Sequence, residues 1–124
     1  MRTWLQRYLL LSAILAVVSV GASAGVETEV IDKTQVVKAV SGVVRDPRGD
    51  PISGATVAEV TPDLKTVIQS TTTDERGHFV LHRIPGTKIH NLVISRRPFN
   101  PLVVHVRVSK WTKKPLELKL ELST

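Results

Sequence analysis

The chain predicts an all-β fold, a seven-stranded, mainly antiparallel β-sandwich, on three observations. From Gln35 onward, short runs rich in Val, Ile and Thr alternate with turn sequences at sandwich-like spacing. Several of these runs alternate apolar and polar residues with a period of two, which separates a dry face from a wet one. After residue 24, no segment carries a convincing helical period.

Ahead of these strands, residues 1–24 read as a signal peptide helix. Arg2 and Arg7 form a basic start, Tyr8 to Val20 an apolar core of about 13 residues, and Ala22-Ser23-Ala24 a small-residue cleavage site. That core is short of the roughly 20 residues needed to span a bilayer. The expectation is export, cleavage between Ala24 and Gly25, a secreted or periplasmic product, and no stable membrane insertion afterwards. Residues 25–35 are polar and aperiodic, a flexible leader or an edge extension. The sandwich domain is expected over 36–124.

The first expected strand, Val36–Arg45, is untidy. Val36, Val37, Ala39, Val40, Val43 and Val44 cannot all share a face, which calls for a bulge or burial on both sides. Asp46-Pro47-Arg48-Gly49 ends it as a turn, because Pro47 presets φ and Gly49 accepts positive φ. Pro51-Ile52-Ser53-Gly54 leads into Ala55–Val60, and Lys65–Thr72 follows. After Thr73-Asp74-Glu75-Arg76-Gly77 comes His78–His82, with Phe79 and Leu81 on one face and His78, Val80 and His82 on the other. Ile89–Ser95 comes next. In Leu102–Ser109, Leu102, Val104, Val106 and Val108 oppose Val103, His105 and Arg107. Pro115–Leu122 is the most regular, its four leucines opposite Glu117, Lys119 and Glu121.

The formal charge is +6, and setting Arg2 and Arg7 aside leaves 15 basic against 11 acidic residues, or +4. Export removes the protein from nucleic acid, so this charge is read as solubility or attraction to anionic surfaces. With no cysteine, neither a disulfide nor a thiolate metal site can form, and sheet packing alone must hold the domain.

Three groups of residues carry a family likeness. Gly42, Asp46, Gly49, Pro51, Ile52, Gly54, Ala55 and Val57 form the first; Thr73, Asp74, Gly77 and Phe79 the second; Ile84-Pro85-Gly86-Thr87 the third. Together they resemble the carboxypeptidase regulatory-like domain, a transthyretin-like, carbohydrate-binding-like sandwich common in exported bacterial proteins. The resemblance covers about Val40 to Leu122, and the matching residues shape turns rather than perform chemistry. Two places depart from the pattern. Lys88 and Ile89 replace an aromatic after the Pro-Gly-Thr turn, and Pro98-Phe99 stands where the family has a Gly-aromatic pair.

Enzymes on related sandwiches leave signatures that this sequence lacks. A terminal Tyr-Arg-Gly-Ser, as in the transthyretin-like hydrolases, is absent, and the chain ends Leu120-Glu121-Leu122-Ser123-Thr124. Intradiol dioxygenases bind iron through two Tyr and two His, whereas the sole tyrosine here is Tyr8. Asn91 and Asn100 lie off the final strand, where an isopeptide crosslink would need one. The expectation is therefore a non-enzymatic domain with no cofactor. His78, His82 and His105 are weak metal candidates, with His90 a further possible neighbour. His78 and His82 would stand about 13 Å apart on one strand face, so a polar outer face is the plainer reading. Arg96, Arg97, Lys110, Lys113 and Lys114, with Phe99 and Trp111 nearby, form the densest basic and aromatic group. They suggest a ligand surface on end loops, unless Trp111 and Phe99 cap the core. The expected partner is a protein or polysaccharide of the cell envelope. A carbohydrate-binding module using Trp111 and a histidine-based metal carrier are the alternatives.

Overall fold

The untidy first strand turns out to be two strands in different sheets. The computed structural model describes residues 28–122; the expected signal helix and its cleavage site lie outside them. β1 spans Glu29–Val37 and β2 Ser41–Arg45, and Lys38 to Val40 carry the chain from one sheet to the other. This crossing lets both Val37 and Val40 be buried. It also makes eight strands where seven were expected. Of the stretch read as a leader or edge extension, Glu29 to Gln35 belong to β1, an edge strand, so the sandwich begins before Val36.

The remaining strands are β3 (Thr56–Val60), β4 (Val67–Thr72), β5 (His78–Val80), β6 (His90–Ser95), β7 (Leu102–Val108) and β8 (Leu116–Lys119). One sheet has the order β1-β7-β6-β3-β4 and the other β5-β2-β8. The β1–β7 and β2–β8 pairings are parallel, and the other pairings between strands are antiparallel.

The inner faces follow the period of two. Leu102, Val104 and Val106 meet Leu92, Ile94 and Val57 on one side of the core, and Val44, Phe79, Leu116, Leu118 and Leu120 on the other. Leu122, which the alternation put on the same face as the other leucines, is exposed; the strand has ended and Leu122 bridges Phe99. The outer face of the larger sheet is drier than a simple alternation requires. Ala58, Val60, Val67, Val93 and Val103 form a second apolar cluster there, with Leu64 packed against it.

Two loops repeat the same construction. The Asp46 carboxylate accepts the Arg48 and Asp50 backbone N–H groups, each at 2.9 Å. The Asp74 carboxylate accepts those of Arg76 and His78 at 2.8 and 2.9 Å. Gly77 sits at φ +77°, and a Cβ there would lie 2.6 Å from the Val44 carbonyl oxygen, so this position admits glycine alone without strain. Gly42 has a different reason: a Cβ would collide with the Leu116 carbonyl of the paired β8 strand. Buried Thr73 ties the two loops together. Its hydroxyl donates to the Ile52 carbonyl at 2.6 Å and accepts the Ala55 N–H at 2.9 Å.

Candidate functional site

Strand directions sort the connections onto two ends of the sandwich. Lys38–Val40, 61–66, 81–89 and 109–115 gather at one end; 46–55, 73–77 and 96–101 gather at the other with 120–122. The ends differ in charge. The first carries seven exposed cations, Lys38, Lys65, Arg83, Lys88, Lys110, Lys113 and Lys114, against one acid, Asp63. The second is nearly balanced: Arg48, Arg76, Arg96 and Arg97 face Asp46, Asp50, Asp74, Glu75 and Glu121. None of the seven cations forms an ion pair among the described residues.

Trp111 stands on the cationic end, 88% exposed, with the Lys110 ammonium 5.5 Å from its ring centre. The loop that carries it is held at both feet. Ser109 N–H donates to the Val37 carbonyl at 2.8 Å, and Lys38 N–H to the Lys114 carbonyl at 3.2 Å. Within the loop, the Ser109 and Thr112 hydroxyl oxygens accept the Trp111 and Lys114 N–H groups. Trp111 therefore does not cap the core.

Phe99 does. It is half-buried against the core cluster and bridges Leu122. The structure thus divides the group that the sequence placed together. Phe99, Arg96 and Arg97 precede β7, whereas Lys110 and Trp111 follow it, and six residue rises along the strand put about 20 Å between the two sets. Arg96 is engaged locally, its Nε donating to the Ser53 carbonyl at 3.2 Å. Lys110 and Trp111 remain together, and their neighbours are the lysines of their own end.

The histidines are also separated. His78 starts β5 near the balanced end and His82 follows that strand at the cationic end, both exposed. His105 points to the outer face of the larger sheet, where its Nδ1 contacts the Asn91 Oδ1 at 2.6 Å. His90 lies beside Val106 on the inner face of that sheet. Among the described residues, no three His, Cys, Asp or Glu side chains could hold one metal ion. Sheet pairing sends the three candidates His78, His82 and His105 to different faces and ends.

His90 instead belongs to a buried polar chain that sequence reasoning missed. Its Nδ1 lies 2.8 Å from the Glu59 Oε2, and the two side chains are 0% and 1% exposed. The other Glu59 oxygen accepts from Gln69 Nε2 at 2.9 Å, and the same amide donates to the His82 carbonyl at 2.6 Å. The chain links β3, β4 and β6 to the loop after β5. His90 Nε2 has no hydrogen-bond partner among the described residues. Its complete burial makes the pair a clamp beneath the cationic end rather than a reacting site. One signal was available: Glu59 is the lone charge in an apolar strand and shares the face of Val57.

The Asp74 carboxyl is held below the ordinary carboxylate range by the backbone N–H of His78 and then that of Arg76. Asp63, at the cationic end, is lowered by the Thr61 hydroxyl and then the Lys65 N–H.

No curated protein matches the chain. Among solved structures, the 3-chlorocatechol 1,2-dioxygenase of Rhodococcus opacus 1CP is similar at 13% identity and TM-score 0.39, over 77% of this chain and 66% of that one. The catechol 1,2-dioxygenase of Pseudomonas arvilla C-1 is similar at 10% identity and TM-score 0.45, over 94% of this chain and 73% of that one. The chain thus spans just under two thirds of the first of these enzymes, and likeness at this level says nothing of chemistry. The family model of the carboxypeptidase regulatory-like domain matches residues 39–121. That span takes in both Asp-turn loops, the Thr73 tie and the core strands from β2 to β8, and the chain belongs to the carboxypeptidase regulatory-like domain family.

Proposed function

We propose that this chain is an exported, non-enzymatic interaction domain that engages a cell-envelope partner through the loop end carrying Trp111. The observation that carries the reading is Trp111 itself: a large aromatic, 88% exposed, on a loop anchored at both feet. A side chain of this size left in water contributes nothing to the core and is the residue type that dominates binding surfaces. Export rests on Arg2, Arg7, the apolar run Tyr8 to Val20 and Ala22-Ser23-Ala24. The absence of catalysis rests on the family and on the missing signatures of enzymes on related folds.

Carbohydrate binding is the second reading, favoured by the same exposed indole, which offers a face for a sugar ring. Capture from the native envelope by wild type and by Trp111→Ala tests the main reading. A partner enriched by wild type and lost in the variant, with melting temperatures equal, is expected. Equal capture by both would remove Trp111 from the binding surface. A panel of uncharged glycans assayed beside it decides for or against the second reading.

A further inference from the structure

We propose that the Trp111 end docks on an anionic lipid bilayer, with Trp111 at headgroup level and the surrounding lysines over the lipid phosphates. The inference rests on the reading of this end as the binding surface and supplies the partner's chemistry. Charge carries it first. Seven cations and one acid are brought to a single end by four connections far apart in sequence, while the connections at the other end carry four cations and five acids. A chain of modest net charge therefore presents one strongly cationic face, which is drawn to an anionic surface and loses that attraction within a Debye length.

The apolar groups agree. Trp111 projects from the same end, and Ile89, on a neighbouring connection, is 39% exposed. Tryptophan has an apolar body and a polar N–H, the combination enriched at the membrane–water interface, and lysine stems can lie along that boundary with their ammonium groups in water. The Lys110 ammonium already lies 5.5 Å from one indole face, which disfavours sugar stacking on that face and suits a tryptophan inserted beside cations. The layout also permits approach. Glu29 and Leu122, the outermost strand and bridge residues described, both lie at the opposite end, so the Trp111 loop meets a flat surface without obstruction from either. Among the described residues no helix is long and apolar enough to cross a membrane.

The test uses the protein recovered after export, which cleavage after Ala24 frees of Trp4 and of the apolar run Tyr8 to Val20, so that Trp111 is the sole indole. Its fluorescence is followed on titration with phosphatidylglycerol vesicles, phosphatidylcholine vesicles and a soluble acidic polysaccharide. A blue shift with phosphatidylglycerol alone, weakened by salt, is expected. Lys110→Gln, Lys113→Gln and Lys114→Gln together should weaken partitioning roughly 100-fold, at about fivefold per cation. The same loss of charge at the other end, through Arg48→Gln, Arg76→Gln and Arg97→Gln, should leave it within about twofold. Equal weakening by the two triples would mean that net charge alone acts, and overturns the proposal. So would an equal shift with both lipids. A shift with the polysaccharide and none with vesicles overturns the lipid partner and keeps the Trp111 surface. No response to any of the three probes, together with equal envelope capture by wild type and Trp111→Ala, removes both.

Discussion

Glu59 and His90 show how much one buried contact depends on its partner. Neither can turn to water, so removing one leaves the other desolvated without its 2.8 Å contact. His90→Leu or Glu59→Leu should each cost about 3–5 kcal/mol, the scale for breaking a buried pair. The double change should cost clearly less than the two singles summed, because neither member of the pair is left buried without the other. Urea unfolding of the four proteins checks this, and additive costs would mean that the pair is not coupled. Asp74 makes a pH-dependent contribution. Its folded pKa is lowered, so its stabilisation is fully present above the unfolded-state value of about 3.9 and fades as pH falls through the folded value. Asn at position 74 can still accept the Arg76 and His78 N–H groups but carries no charge. The stability difference between wild type and Asp74→Asn should therefore be largest near neutrality and shrink on acidification below about pH 4. A difference that does not vary between neutrality and that range would show that the charge contributes nothing.

At the scale of elements, β8 is the clearest test of register. Leu118 is 3% exposed against β2 and the core, and Lys119 is exposed beside Glu121 at 3.6 Å. Leu118→Ala should cost roughly 2–5 kcal/mol through lost transfer energy and a residual cavity. Lys119→Ala should stay within about 0.5 kcal/mol, since an exposed ion pair of this length contributes little. Chemical denaturation of the two variants checks the pair, and similar costs would mean that the strand faces are assigned the wrong way round. The alternation that predicts this was plain in the sequence. What β1 and β2 do was not plain, because a chain that changes sheets at Lys38–Val40 buries valines on both sides of the break and looks locally like a bulged strand.

At the scale of the molecule, Trp111 and Phe99 lie at opposite ends of the sandwich and differ in burial. Trp111→Ala should leave the melting temperature unchanged within error, because an 88% exposed ring has little burial to lose. A marked destabilisation, measured by thermal unfolding, would place Trp111 in the core. Phe99→Ala, at the other end, should destabilise clearly, since its ring packs on the core. N-terminal sequencing of the exported protein should find Gly25 first. A product beginning at Met1 would refute cleavage at Ala24.

By itself the sequence determined the all-β class, the facing of Phe79, Leu81, Leu102, Leu116 and Leu118, the two Asp-Gly turns and the family. All are local: a period of two and a turn that fits only certain residues act over a few positions. Only the tertiary structure decided that Arg96, Arg97 and Phe99 lie a strand's length from Trp111, that the histidines scatter, and that Glu59 finds His90. Those outcomes depend on which strands pair and in which direction, through contacts such as Glu59 to His90 that lie 31 residues apart. Lys110 and Trp111 were legible because they are neighbours in the chain. The cationic end around them was not, because four separate connections meet there only after both sheets have closed.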